Sequence, residues 1–251
     1  HGLTRNSADF APLAATLAQR RRVIAFDFRG RGRSDYDPDW HNYHPAQYAE
    51  DVWKLVDELG LGRVALLGTS LGGLMSMLMH HERPESVAAV ILNDIGPRMG
   101  EEGIARVTAS VGTLPAVEDF DAALEATKTN YEIAFPDWDD AKWKWLTGIS
   151  FRQTDEGGYD LNFDRNIGVA AREGVSGLRV DPWEVYASLG QTPVLLVHGA
   201  LSDILTDEIV AEMRDKKTDL EVVVVANRGH APMLDEPEAE NAIVEFLDRV
   251  A

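Results

Sequence analysis

Short, nearly continuous apolar runs alternate along this chain with stretches whose apolar residues recur every three or four positions. The runs at 22–28, 63–68, 87–92, 193–197 and 221–225 have strand length, and such runs suit strands buried on both faces of a parallel sheet. Helical patterns cover 10–19, 45–59, 71–81, 204–216 and 238–250. The second begins at Pro45 and stops before Gly60, residue types that suit the two ends of a helix. The order α-β-α-β-α-β, then an interruption, then β-α-β-α predicts an α/β fold with a mostly parallel, doubly wound sheet.

The interruption spans 95–189. It carries helical patterns at 101–111, 115–133 and 137–149, and a hairpin signal over 151–163 centred on Glu156-Gly157-Gly158. This predicts a core in two parts, 1–94 and 190–251, with a mainly helical insertion of 95–189 placed as a lid over the carboxyl ends of the strands, where open α/β sheets bind ligands. Trp138, Trp143, Trp145 and Trp183 lie in the insertion. They are candidates for lining a substrate pocket, unless they only pack the lid's own small core.

Composition narrows the partners. Asp+Glu 42 against Lys+Arg 24 gives a net charge of −18 over 251 residues, which repels phosphate backbones and anionic lipid, so neither nucleic acid nor a membrane surface is an expected partner. The absence of cysteine removes disulfides, a thiol nucleophile and Cys-ligated metals. With no apolar leader at the start, the chain reads as a cytoplasmic enzyme acting on a small molecule.

The strongest chemical signal is Gly68-Thr69-Ser70-Leu71-Gly72, followed by Gly73, at the junction of an apolar run with a helical pattern. A nucleophile elbow requires that context: the turn is so tight that the positions two before and two after the Ser leave no room for side chains. A Ser hydroxyl is a poor nucleophile without a base that is itself held by an acid. His230, in Gly229-His230-Ala231-Pro232 directly after the last strand run, is the candidate base. His80 and His81 fall late in a helical pattern, His198 closes a strand run, and His41 with His44 lies in a Pro/Asp/Asn-rich loop without carboxylate ligands at helical spacing, which disfavours a metal site. For the acid, Asp203 follows the 193–197 run and is preferred. Asp94, which ends the 87–92 run, is the alternative, and Asp207 fits the first turn of the next helix. The order Ser, Asp, His separates this arrangement from other triad architectures.

On these residues the chain resembles the α/β-hydrolase-fold serine hydrolases of the lid-bearing, carboxylesterase-like branch. His1-Gly2 matches the His-Gly turn after the third strand of that family, and Asp27 to Asp35 matches the loop after the fourth. The resemblance implies that the backbone N–H groups of Leu71 and Leu3 form the oxyanion hole, that no metal or organic cofactor is required, and that the substrate is a carboxylic ester; the charge of −18 and the aromatic lid favour a small, neutral, apolar one. It also implies three strands ahead of His1, roughly 20–30 residues. Ser70 in place of Asp argues against haloalkane dehalogenases and epoxide hydrolases. Carbon-carbon bond hydrolases, enol-lactone hydrolases and perhydrolase-like enzymes with the same triad remain alternatives, as do a small-molecule receptor on the same fold and a lid-mediated protein-interaction role. An inward-pointing Arg152 or Arg165 would favour a carboxylate-bearing substrate.

Overall fold

A computed structural model describes residues 1–175 and 179–250. In chain order the elements are α1 (Ala11–Leu17), α2 (Pro45–Glu58), β1 (Val64–Thr69), α3 (Leu71–Glu82), β2 (Val87–Asn93), α4 (Glu101–Ser110), α5 (Phe120–Tyr131), α6 (Asp140–Ser150), β3 (Phe151–Gln153), β4 (Tyr159–Leu161), α7 (Asn166–Arg172), α8 (Pro182–Ala187), β5 (Val194–Gly199), α9 (Asp207–Lys216), β6 (Glu221–Val225) and α10 (Pro237–Val250). Strands β1, β2, β5 and β6 pair in parallel in that spatial order, while β3 and β4 form a separate antiparallel hairpin.

Helices cover both faces of the parallel sheet, which explains why its central strands are apolar throughout. Val90, Leu92, Val194 and Leu196 enter the larger core with Trp53 of α2 and Met75 of α3. Their neighbours Ala89, Ile91, Leu195 and Val197 turn the other way, onto Leu13 of α1 and Ile243 and Phe246 of α10. In α10 the buried residues Ala239, Ile243, Phe246 and Leu247 recur at helical spacing, so one stripe faces the sheet. Burying a side chain such as Phe246 contributes up to about 3 kcal/mol.

Two expectations are corrected. The run 22–28 forms no strand: among the described residues it has no ladder partner, and the Phe28 N–H donates to His1 Nε2 at 3.0 Å instead. The helix expected over 115–133 starts only at Phe120, because the Asp119 carboxylate accepts from the Ala122 N–H at 2.8 Å and caps it. Just before that cap, Val117 exchanges backbone hydrogen bonds with Tyr159 of β4. Helices α7 and α8, of 7 and 6 residues, were not separable by pattern.

Candidate active site

The strand register assembles the site. Thr69 pairs with Asn93 and Asn93 with Val197, so the next residues, Ser70, Asp94 and His198, stand side by side on three neighbouring strands. Ser70 has φ 53° and ψ −114°, and Asp94 has φ 54°. Such backbone costs of order 1–3 kcal/mol per residue and persists only where the surroundings dictate it. Here they do: the Ser70 N–H donates to the Asn93 carbonyl at 3.1 Å, and the Asp94 N–H to the Val197 carbonyl at 2.8 Å. A Cβ on Gly68 would lie 2.0 Å from the Gly72 carbonyl carbon, so the turn admits only glycine there.

His230 comes from the loop after β6. The Gly229 N–H donates to the Ala134 carbonyl at 2.9 Å, in an approach so close that a Cβ on Gly229 would meet Ala134 Cα at 2.8 Å. Asn93 Nδ2 reaches both Thr69 Oγ1 at 2.9 Å and the Pro232 carbonyl at 2.7 Å, tying this loop to the strand ends. The imidazole then spans two groups. Nε2 is 2.9 Å from Ser70 Oγ and Nδ1 is 2.9 Å from Asp94 Oδ2. With Nδ1 donating to the carboxylate, Nε2 is left as the acceptor for the Ser70 hydroxyl.

Asp94 is fully buried. Its Oδ1 accepts from the Gly199 N–H at 2.9 Å and lies 3.3 Å from His198 Nδ1, and its Oδ2 accepts from Ser202 Oγ at 2.5 Å as well as from His230. Burial pushes this carboxyl up, but the hydrogen bonds from His198 and His230, the His230 charge and the Ser202 bond outweigh it and hold the carboxyl below the usual Asp value. Asp203, the preferred acid from sequence, is not on His230. Arg106 of α4 holds its carboxylate by three contacts of 2.8–3.0 Å, and the alternative, Asp94, occupies the position beside the imidazole.

Ser70 and His230 open onto a cavity of about 780 Å³ whose wall includes Leu3, Leu71, Phe135 and Met233. Among the described residues the backbone N–H groups of Leu3 and Leu71 have no hydrogen-bond partner. Fully buried Arg31 fixes the Leu3 turn, with Nε on the Leu3 carbonyl and one terminal nitrogen on both the Arg29 carbonyl and Tyr48 Oη, each at 2.8 Å. Two arginines belong to the cavity wall, and both are neutralised: Arg5 by Asp9 at 2.7 and 2.9 Å, and Arg106 by Asp203. Ile133 and Leu201, 63% and 51% exposed, belong to the same wall where it meets solvent.

None of the four tryptophans lines the cavity. Trp138 stacks on Phe135 at 3.8 Å and meets Trp143 edge-on at 5.1 Å, and Trp145 packs against the same cluster. Phe135 presents itself to the cavity, and the tryptophans back it. Trp183 packs against Tyr186 and under Lys216. Arg165 is engaged by Asp160 and the Leu114 carbonyl, and Arg152 lies over Tyr36, so neither belongs to the cavity wall. Three other histidines have local work: His44 Nδ1 caps α2, His41 bonds Asp39, and His80 bonds Thr192. Sequence reasoning missed His198, Ser202, Asn93 and Arg31. No local signal marks them, since each acts through register or through a distant loop.

The model of the alpha/beta hydrolase fold matches residues 1–237. The chain belongs to the alpha/beta hydrolase fold family. It is 31% identical over 244 residues to a 3-hydroxybutyrate-oligomer hydrolase of Cupriavidus necator, covering 94% of this chain and 83% of that protein. It is also 31% identical over 253 residues to a 2-(acetamidomethylene)succinate hydrolase of Mesorhizobium japonicum, covering 99% and 86%. Among solved structures, an alpha/beta hydrolase from Novosphingobium aromaticivorans superimposes with a TM-score of 0.93 at 37% identity, covering 99% of this chain and 87% of that one. This alpha/beta hydrolase is therefore an enzyme of the hydrolase class. No helix among its described residues is long and apolar enough to cross a membrane.

Proposed function

We propose that the chain is a serine hydrolase of neutral carboxylic esters, with Ser70 as nucleophile, His230 as general base and acid, and Asp94 as the acid that orients His230. The observation that carries this reading is the unbroken chain of contacts from Asp94 Oδ2 through His230 to Ser70 Oγ, both links 2.9 Å, at the wall of the large cavity. As Ser70 Oγ attacks the acyl carbon its proton passes to His230 Nε2, and Asp94 stabilises the imidazolium that results. The free N–H groups of Leu3 and Leu71 receive the oxyanion. His230 then protonates the departing alcohol, and a water deprotonated by the same nitrogen cleaves the acyl-enzyme to the free acid. Each step uses only side chains, backbone N–H groups and water.

The segment 95–189 serves as the lid. Its Val111, Phe135 and Phe151 contribute to the cavity wall. The preference for neutral substrate rests on the two neutralised arginines, because a bound carboxylate would have to displace Asp9 or Asp203 from its partner. Of the two relatives' named substrates, esters inside an oligomer of hydroxy acids suit such a wall better than a succinate derivative.

A fluorophosphonate probe should label Ser70 alone. Turnover of short-chain aryl esters should fall by about 10⁴-fold or more in Ser70→Ala, with hydroxybutyrate oligomers cleaved faster than dicarboxylate amides. Unchanged turnover in Ser70→Ala would remove the proposal.

A further inference from the structure

We infer that His198 is a positioning residue of the site, held as an imidazolium between Asp94 and Asp207 so that it fixes the catalytic carboxylate and offsets part of the negative charge that His230 feels. The inference rests on the reading of Ser70, His230 and Asp94 as a triad.

The register sets the contact. Asn93 opposite Val197 makes Asp94 and His198 the next residues on adjacent strands. His198 is buried, with Nδ1 3.3 Å from Asp94 Oδ1 and Nε2 3.1 Å from Asp207 Oδ1 at the start of α9. Ionised carboxylates only accept, and neutral imidazole has one N–H. Both contacts are hydrogen bonds only when the ring carries two protons. A neutral ring would set a nitrogen lone pair against one of the two carboxylates, or release the fully exposed Asp207 side chain to solvent.

The charged groups around the ring are few. Asp94 approaches from the end of β2, Asp207 from α9, and His230 lies beyond Asp94 on its other oxygen. Asp203, in the loop after β5, is turned to Arg106, and Arg228, in the loop after β6, is turned to Glu236 and Asp137. Burial pushes the His198 imidazole down, but its bonds to Asp94 and Asp207 outweigh that and hold it above the usual histidine value.

A cation on one side of Asp94 opposes a second cation on the other. Because both rings bond the same carboxylate, the charge on His198 is coupled through Asp94 to the reacting pair, and the pH profile of turnover reads that coupling. His198→Gln keeps one donor and loses the charge. It should move the acid limb of the kcat/KM profile to higher pH by roughly half a unit to one unit. At its plateau kcat should fall about tenfold while KM is unchanged, since the carboxylate is less firmly placed. His198→Arg restores a permanent cation with several donors and should return the limb toward the wild-type position.

Nitrogen-15 NMR of the histidine rings in the full chain gives a readout independent of turnover. The signal absent from His198→Arg should be that of a doubly protonated ring at pH 7. A singly protonated ring there, or a wild-type acid limb in His198→Gln, overturns the inference, as does an Arg variant shifted as far as the Gln variant. If His198→Gln does not fold, the ring signal and the Arg variant decide it. Ser70→Ala assayed alongside separates the two levels: an active Ser70→Ala variant removes the triad, whereas an inactive one beside an unshifted His198→Gln removes only the role of His198.

Discussion

Exchanging Asp94 for Asn, against the same exchange at Asp203, tests the arrangement most sharply. Asn tolerates the positive φ of 54° at position 94, so the backbone should survive and the effect should be electronic. The buried carboxylate accepts from four donors, two per oxygen. An amide can accept on one side only. The Gly199 N–H on the Oδ1 side cannot reverse, whereas His230 on the Oδ2 side can carry its proton on the other ring nitrogen and accept. The NH₂ therefore settles on the Oδ2 side and donates to Nδ1 of His230. That moves the ring proton to Nε2, the nitrogen that must take the Ser70 proton. The corresponding tautomer error in a serine protease costs about 10⁴-fold in kcat, or about 5.5 kcal/mol at 1.36 kcal/mol per decade. Asp203→Asn instead loosens a half-exposed pair with Arg106, the kind that contributes at most about 1 kcal/mol to stability, and should leave turnover within about twofold. Steady-state kinetics on an aryl ester, with circular dichroism to establish folding, reads both. An Asp94→Asn variant above about one-hundredth of wild-type kcat, or an Asp203→Asn variant below it, would refute the reasoning.

Other consequences are open to direct measurement. Gly68→Ala should lose more than about 3 kcal/mol in chemical denaturation, or fail to accumulate as folded protein, because its Cβ would sit 2.0 Å from backbone. Arg31→Met releases the Leu3 carbonyl and should lower kcat about tenfold with KM unchanged in steady-state assays, as expected for a group that shapes transition-state binding. Trp143→Ala should cost about 3–5 kcal/mol by denaturant titration without altering KM, since the ring packs behind the cavity wall. The Asp94 carboxyl is held below its unfolded value of about 3.9. Its contribution to stability is therefore complete above that pH and is lost as pH falls through the lower folded value. Denaturation midpoints should drop less steeply on acidification below about pH 4 in Asp94→Asn than in wild type.

The elements that repeat with a clear period were legible: β2 and β5 as continuous apolar runs, α10 as a stripe, and the elbow from glycines that space allows no substitute for. The choice between Asp94 and Asp203 was not. Both follow an apolar run by a short distance, and what separates them is strand register together with an arginine 97 residues earlier that captures Asp203. The role of His198 is hidden for the same reason, because it depends on which residue faces it across β2. Residues 22–28 read as a strand from side chains alone, but a strand also needs a neighbour to bond, and none lies beside them among the described residues. The tryptophans show the converse. Their clustering in the insertion was visible, but which ring faces the cavity and which backs it depends on packing between α5, α6 and the His230 loop.

The saturation of Asp94 has one further chemical meaning. A carboxylate offers about four lone-pair sites, and all four are occupied here. With no free pair to direct at an acyl carbon, the carboxylate in contact with His230 is a poor nucleophile, despite lying one imidazole away from Ser70. Under the proposed mechanism, acyl groups entering the cavity are steered to the Ser70 hydroxyl, and formation of a mixed anhydride on Asp94 is suppressed by the same bonds that aim His230.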